Sequence, residues 1–221
     1  MTESLLAKLI EHGYFIPTGV PGLYGKSGAF ESILSGFDAL VTRVAQADRA
    51  EVMRFPPVLS REVFEKSGFL KSFPQLAGSV WSFEGNGQDH AALLEAVAHG
   101  NSWGQYQKMT DTVLAPAACY SVYPLFRGRL PEAGRLVDLH AWCFRHEPSN
   151  DPARLQSFRM REMVRVASPD EVVTWRDTWL SRGLELLTGL GLPVRSSVAN
   201  DPFFGRGGKM LALNQREQQL K

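Results

Sequence analysis

The stretch Arg135–Val166 constrains the fold more than any other, because its side chains alternate in character along two segments with a polar interruption between them. The first segment, Leu136–Glu147, is rich in strand-forming residues, and successive side chains of a strand point to opposite faces. Cys143, Arg145 and Glu147 therefore share one face. The second segment, Gln156–Val166, places Gln156, Phe158, Met160, Glu162 and Val164 on one side and Arg159, Arg161 and Arg165 on the other. Pro148–Leu155 holds Pro, Asn and Asp, which favour an irregular polar loop over a two-residue turn. The reading is a strand, a polar loop and a second strand.

One face of such a hairpin suits a nucleotide together with an acidic or zwitterionic small molecule. Arg145 offers a planar fork for phosphate or carboxylate, Glu147 can accept from an amino group, and Phe158 is a flat surface for a purine. The same pattern also suits a cross-strand ion pair beside a core phenylalanine. Spacing alone does not choose between them.

The remaining chain is organised around helices. Leu5, Leu6, Leu9 and Ile10 have helical spacing, and Phe30, Ile33, Leu34, Phe37, Leu40, Val41 and Val44 mark one face of a longer helix from Ala29 to about Ala47. Ser60 is placed to cap a short helix ending at Gly68, Gly78–Phe83 alternates like a strand, and Asp89 is expected to cap a helix whose buried face is supplied by Leu93, Leu94 and Val97. Ser168-Pro-Asp-Glu171 reads as a capping box opening a helix with Val172, Trp175, Trp179, Leu184 and Leu187 on its buried side. The glycines of Gly205-Arg-Gly-Gly208 are expected to form a turn.

With 221 residues, 44% hydrophobic and 21% charged, the chain is long enough for one sizeable core and too ordinary for disorder. A net charge of +1 argues against a nucleic-acid footprint, which shows as a clustered basic excess. Neither a secretory signal nor an apolar run long enough for a membrane span is present. Two cysteines, Cys119 and Cys143, make no disulfide framework and fit a reducing cytoplasm, and the histidines have no metal-ligand spacing. A Gly-x-Ser-x-Gly hydrolase elbow and a Rossmann glycine fingerprint are both missing.

Phe144-Arg-His-Glu147, Asp151-Pro-Ala-Arg154 and Gln156-Ser-Phe-Arg-Met-Arg-Glu162 resemble the second signature motif of class II aminoacyl-tRNA synthetases, and Val52–Val58 resembles the first. More narrowly, these segments are similar to the seryl-type amino acid:[carrier protein] ligases, as are Gly68–Leu76, Leu114–Tyr120 and Ala199–Gly208. The resemblance implies one α+β catalytic domain over residues 1–221, with an antiparallel sheet flanked by helices, whose proline-bearing first motif helps build a homodimer. It implies activation of a small amino acid by ATP with Mg2+, as an aminoacyl-adenylate, and transfer to the phosphopantetheine thiol of a carrier protein rather than to tRNA. Arg145 would be catalytic on the α-phosphate, Glu147 and Phe158 would hold adenine, and Arg154 the outer phosphates.

The same resemblance implies a zinc ion that binds the substrate amino group, with Cys119 and Glu162 matching its first two ligands. The third ligand and the third signature motif have no counterpart, since no cysteine follows Cys143. The expectation is thus a domain lacking its carboxy-terminal part. The alternative reading is a catalytically impaired paralogue that serves as a binding or regulatory subunit, or a decayed gene product.

Overall fold

The computed structural model describes residues 4–199 and 201–218; residues 1–3 and 219–221, and Asn200 of the segment Ala199–Gly208, lie outside the described residues. The chain opens with α1 (Leu5–Glu11), whose Ser4 Oγ accepts from the Ala7 N–H at 3.2 Å. A small antiparallel hairpin follows, β1 (Phe15–Pro17) and β2 (Tyr24–Lys26), then α2 (Gly28–Ala45), the amphipathic helix expected from Ala29 onward. Next come β3 (Glu51–Met53), β4 (Val58–Ser60), α3 (Arg61–Lys66), α4 (Phe69–Ser72), β5 (Ser79–Phe83), α5 (Gly87–Ala98) and β6 (Gln107–Leu114). The long hairpin is β7 (Arg135–Phe144) with β8 (Ser157–Val166), followed by α6 (Pro169–Gly189) and α7 (Gly205–Glu217).

Two three-stranded sheets carry the fold, one in the order β3-β7-β8 and one in the order β4-β6-β5. The expected α+β arrangement of antiparallel strands and helices is present, with one departure. β3 runs parallel to β7, which a strand of three residues is too short to announce by any period. The sheets are stitched together where β7 ends. Phe144 N donates to Ala115 O at 2.8 Å, Ala115 N to Pro57 O at 3.0 Å, and His146 N to Leu76 O at 3.1 Å. At the opposite end of the hairpin Gly134 has φ +66°, and a Cβ there would stand 2.4 Å from Val166 O, so only glycine admits this close approach.

Strand alternation divides the hairpin as its sequence suggests. Val137, Leu139, Ala141 and Cys143 pack with Phe158, Met160 and Val164 in a core cluster shared with Ala118 and Val122. On the reverse face α2 crosses β8 and is fixed by charge. Arg159 bonds both oxygens of Glu31 at 2.7 Å, while Arg161 reaches Asp38 and Thr42 from one side and the buried Asp138 of β7 from the other. Glu31, Asp38 and Thr42 recur at helical spacing, so one helix face meets the arginine face of the strand.

Four local expectations need correction. Leu94 and Val97 of α5 are 53% and 49% exposed and Ala96 is its buried residue, while α6 buries none of its expected stripe in this chain, Val172 being 37% exposed. The other two concern helix starts. Asn86, not Asp89, is the N-cap of α5: its Oδ1 accepts from Gln88 N and Asp89 N, while Asp89 at the third helical position returns a bond to Asn86 N at 2.8 Å. Both side chains can cap, and the Gly85-Asn86-Gly87 turn places the asparagine first. Gly205, Gly207 and Gly208 do not form a separate turn but lie in the opening of α7. A Cβ on Gly208 would meet Phe203 backbone at 2.7 Å, so the glycine serves close packing where the chain enters the helix. The capping box of α6 stands as read, with Ser168 N donating to Glu171 at 3.1 Å. That helix leans on the hairpin through Trp175 Nε1, which donates to Met163 O.

Candidate functional site

The Ala115-Pro-Ala-Ala118 run brings the chain across the inner face of β7 and β8, and its small side chains permit that approach. A 3-10 turn, Ala118–Ser121, then sets Cys119 against the strands and Tyr120 against Phe69 of the neighbouring cluster. Arg145 lies just beyond β7, where its Nε donates to Pro116 O at 2.9 Å. This bond fixes one edge of the guanidinium, whose Cζ lies over Phe158 at 5.3 Å from the ring centroid. Register places Phe158 opposite Cys143 and Glu162 opposite Leu139, so Phe158 and Glu162 share the inner face. Arg145, Phe158, Cys119 and Glu162 are thereby brought together.

Glu147 and Arg154 form a second group at the base of the 145–156 loop. Arg154 approaches Glu147 at 3.3 Å, an exposed cation over a half-buried carboxylate. The pairing arises locally: Asp151 Oδ1 accepts from Ala153 N, and Asp151 O accepts from Arg154 N, turning the loop back on itself. The cross-strand ion pair weighed as an alternative is not the pair that forms: Glu147 meets Arg154 within the loop, and Arg145 faces Phe158.

Glu162 is the most unusual group of the site. Its Oε2 is buried without a hydrogen-bond partner among the described residues. Burial pushes its carboxyl above the ordinary value of 4.5, and the Cys119 thiol, the amides of Cys119 and Ala118, and the charge of Arg145 offset only part of that rise. Cys119 is pushed up to about 12 by burial and then by the adjacent Glu162 charge; its thiol also bonds the Tyr123 hydroxyl. Cys143 is likewise pushed up to about 12, first by burial and then by Glu162. The cluster thus sets one buried carboxyl and two protonated thiols beside a single cation, Arg145. Tyr123 was not singled out from the sequence, and only its place one turn past Cys119 hints at the contact.

The sign of the pH effect follows. A folded carboxyl with a raised pKa holds its proton above pH 4.5 while the unfolded chain releases it, so stability falls as pH climbs through the raised value. Glu162→Gln is expected to melt above the parent protein at neutral pH and to lose that advantage below pH 4.5. Thermal melts on either side of that pH provide the check. An unchanging offset would mean that Glu162 does not titrate differently in the fold.

A thiol and a carboxylate are suitable zinc donors, and the orphaned Oε2 would be satisfied by a cation. A catalytic zinc takes three protein ligands, however. No group of three or more His, Cys, Asp or Glu that could hold a metal comes together among the described residues. Two donors do not complete the site.

Two solved structures that share this fold are synthetases. Over 85% of this chain and 38% of the other, the fold superposes on M. kandleri SerRS, solved in complex with A. aeolicus tRNASec, with a TM-score of 0.71 at 19% identity. Giardia lamblia prolyl-tRNA synthetase in complex with prolyl-adenylate gives a TM-score of 0.61 at 13% identity, over 83% of this chain and 34% of that one. The chain has the class II aminoacyl-tRNA synthetase fold. No protein-family profile matches it.

Sequence comparison narrows this class. Amino acid--[acyl-carrier-protein] ligases 1 and 2 of Bradyrhizobium diazoefficiens are 45% and 43% identical to the chain over 209 residues, which is 94% of its length. Type-2 serine--tRNA ligase of Methanococcus aeolicus is 31% identical over 102 residues, 44% of this chain and 20% of that protein. The chain is a homologue of the amino acid--[acyl-carrier-protein] ligases, and it spans 64% and 62% of the length of the two relatives from Bradyrhizobium.

Proposed function

We propose that the chain is a single activating domain of an ATP-dependent ligase, which joins a small amino acid to AMP and passes the aminoacyl group to the phosphopantetheine thiol of a carrier protein. The observation that carries this is the convergence of Arg145 and Phe158 with a buried carboxyl, Glu162, that has an unpartnered oxygen. ATP enters as its Mg2+ complex. Phe158 takes the purine with Glu147 accepting from its amino group, Arg145 holds the α-phosphate, and Arg154 leaves Glu147 for the outer phosphates. Glu162 receives the ammonium of the amino acid.

In the first step a carboxylate oxygen of the amino acid attacks the α-phosphorus, and the bond to pyrophosphate breaks as pyrophosphate leaves. Charge builds on the α-phosphate oxygens, where Arg145 is already oriented by Pro116. In the second step the acceptor thiolate attacks the carbonyl carbon and AMP departs. Names of the relatives support a carrier protein over tRNA as acceptor. Exposed apolar side chains on α2, Ile33 and Phe37, support a homodimer. Unpaired thiols support a cytoplasmic setting; no helix among the described residues is long and apolar enough to cross a membrane.

Amino-acid-dependent exchange of pyrophosphate into ATP tests the first step, and labelled amino acid offered with tRNA or holo carrier protein tests the second. Label on tRNA alone would overturn the choice of acceptor. The two-donor metal centre favours a second reading, an impaired subunit that binds or regulates, and dimerisation without exchange would select it. The same centre leads to an analytical prediction. Purified 221-residue chain is expected to hold less than one zinc per molecule. One tightly held zinc, lost on Cys119→Ser, would reveal a third ligand outside the pair.

A further inference from the structure

Asp138 and Gln156 are the polar side chains fully buried among the described residues. Asp138 is accounted for by Arg161, whereas Gln156 stands at the end of the 145–156 loop, where its side chain reaches Pro21. Its Nε2 donates to Pro21 O at 2.8 Å, its backbone N donates to Gly22 O at 2.9 Å, and its carbonyl accepts from Arg145 N at 2.9 Å. Three bonds on one residue thus join a corner of the β1–β2 hairpin to the backbone of the arginine proposed to hold the α-phosphate.

The corner is itself rigid. Thr18 Oγ1 donates to Leu23 O at 2.6 Å across the turn, and the strands below it are anchored by the buried Phe15 against Tyr24 and Phe30 at 5.3 and 5.5 Å. Gly22 has φ +80°, and a Cβ there would lie 3.0 Å from Gln156 Cγ and 3.3 Å from Glu147 O. The glycine lets the corner touch both the clamp residue and the backbone of Glu147. Beyond this point the loop's hydrogen bonds among the described residues are local, from Asp151 N to Ser149 Oγ, from Ala153 N to Asp151 Oδ1, from Arg154 N to Asp151 O and from Arg154 to Glu147.

We infer that Gln156 and the Pro21-Gly22 corner form a clamp that positions the base of the 145–156 loop, so that Gln156 is a positioning residue for whatever Arg145 and Glu147 bind. The identity of that ligand as ATP rests on the reading given under Proposed function, whereas the clamp rests on the contacts alone. Gln156→Met keeps length and volume but deletes the donor to Pro21. Gly22→Ala reaches the same contact from the opposite side and meets an unfavourable φ.

Hydrogen exchange and nucleotide affinity separate the two ideas. Both variants are expected to exchange the Arg145 amide and residues 148–155 faster, while amides 139–143 of β7 keep their protection. Affinity for a fluorescent ATP analogue should fall by about tenfold to a hundredfold, as displaced contact groups do, with amino acid affinity retained. Unchanged exchange in the loop overturns the clamp, and so does faster exchange spread over all of β7, which would make Gln156 a general core residue. Parent protein that binds no ATP analogue overturns the ATP reading, and the clamp is then decided by exchange alone. Loosened loops with unaltered ATP affinity, in a parent that binds it, overturn the positioning role.

Discussion

Arg161→Ala is expected to destabilise the fold by about 3–5 kcal/mol, the range for breaking a buried ion pair from one side. The guanidinium donates to both carboxylate oxygens of Asp138, at 3.1 and 2.6 Å, and to the Asp38 carboxylate, the Asp38 carbonyl and the Thr42 hydroxyl at 2.8, 2.9 and 2.8 Å. Asp138 is 5% exposed in the parent, and with the arginine gone its remaining ion-pair partner among the described residues is Arg54, at 3.9 Å. Desolvation of that carboxylate is then uncompensated, and α2 loses its central tie to β8. Denaturant unfolding of the variant gives the number. A loss below about 1 kcal/mol would place the network with exposed surface pairs, whose worth is of that order. The double variant Arg161→Met with Asp138→Leu should recover much of the stability, because the pair is replaced by packing instead of being left half-made.

Arg145→Lys is expected to slow amino acid activation by about a hundredfold or more, the usual consequence of deleting one preorganised donor to developing charge. Lysine keeps the charge. It cannot spend one N–H on Pro116 O and still present a planar pair of N–H donors to a phosphate. Folding should be little affected, since the side chain is half-buried and no acidic partner is abandoned. Pyrophosphate exchange measured beside a thermal melt distinguishes a chemical defect from a folding one. Activation at the parental rate would remove Arg145 from the phosphate site.

What could be read beforehand depended on whether a feature has a period. Alternation along β7 and β8 assigns Phe158 and Glu162 to one face and Arg159 and Arg161 to the other, and the register agrees with it. The helical stripe from Phe30 to Val44 and the Ser168–Glu171 box were legible for the same reason, each being a local pattern with a local cause. Cys119 beside Glu162 was not available from spacing, since the residues are distant in sequence; family resemblance alone paired them. The bond from Gln156 to Pro21 spans the chain from its first hairpin to the base of the 145–156 loop and leaves no local trace. Glu147 and Arg154 meet because the Asp151 turn folds the loop back, which an irregular loop sequence does not specify. β3 is too short to declare its direction, and Asn86 and Asp89 compete for one cap with equal chemical merit.

The two-faced character of β8 has a consequence for how the hairpin finds its alignment. A tight two-residue turn would dictate which residues pair, but the irregular 145–156 connection leaves the strands free to slide during folding. A slip by one residue would swap the faces of β8. Arg161 would enter the apolar cluster of Val137, Leu139 and Ala141, and Glu162 would turn toward Asp38 and Asp138, carboxylate against carboxylate. Both halves of that exchange are unfavourable, so the misaligned hairpin is rejected by repulsion as well as by lost packing. The alternation of Arg159, Arg161 and Glu162 thus acts as a proofreading device for strand pairing, in addition to any part these residues play once the chain has folded.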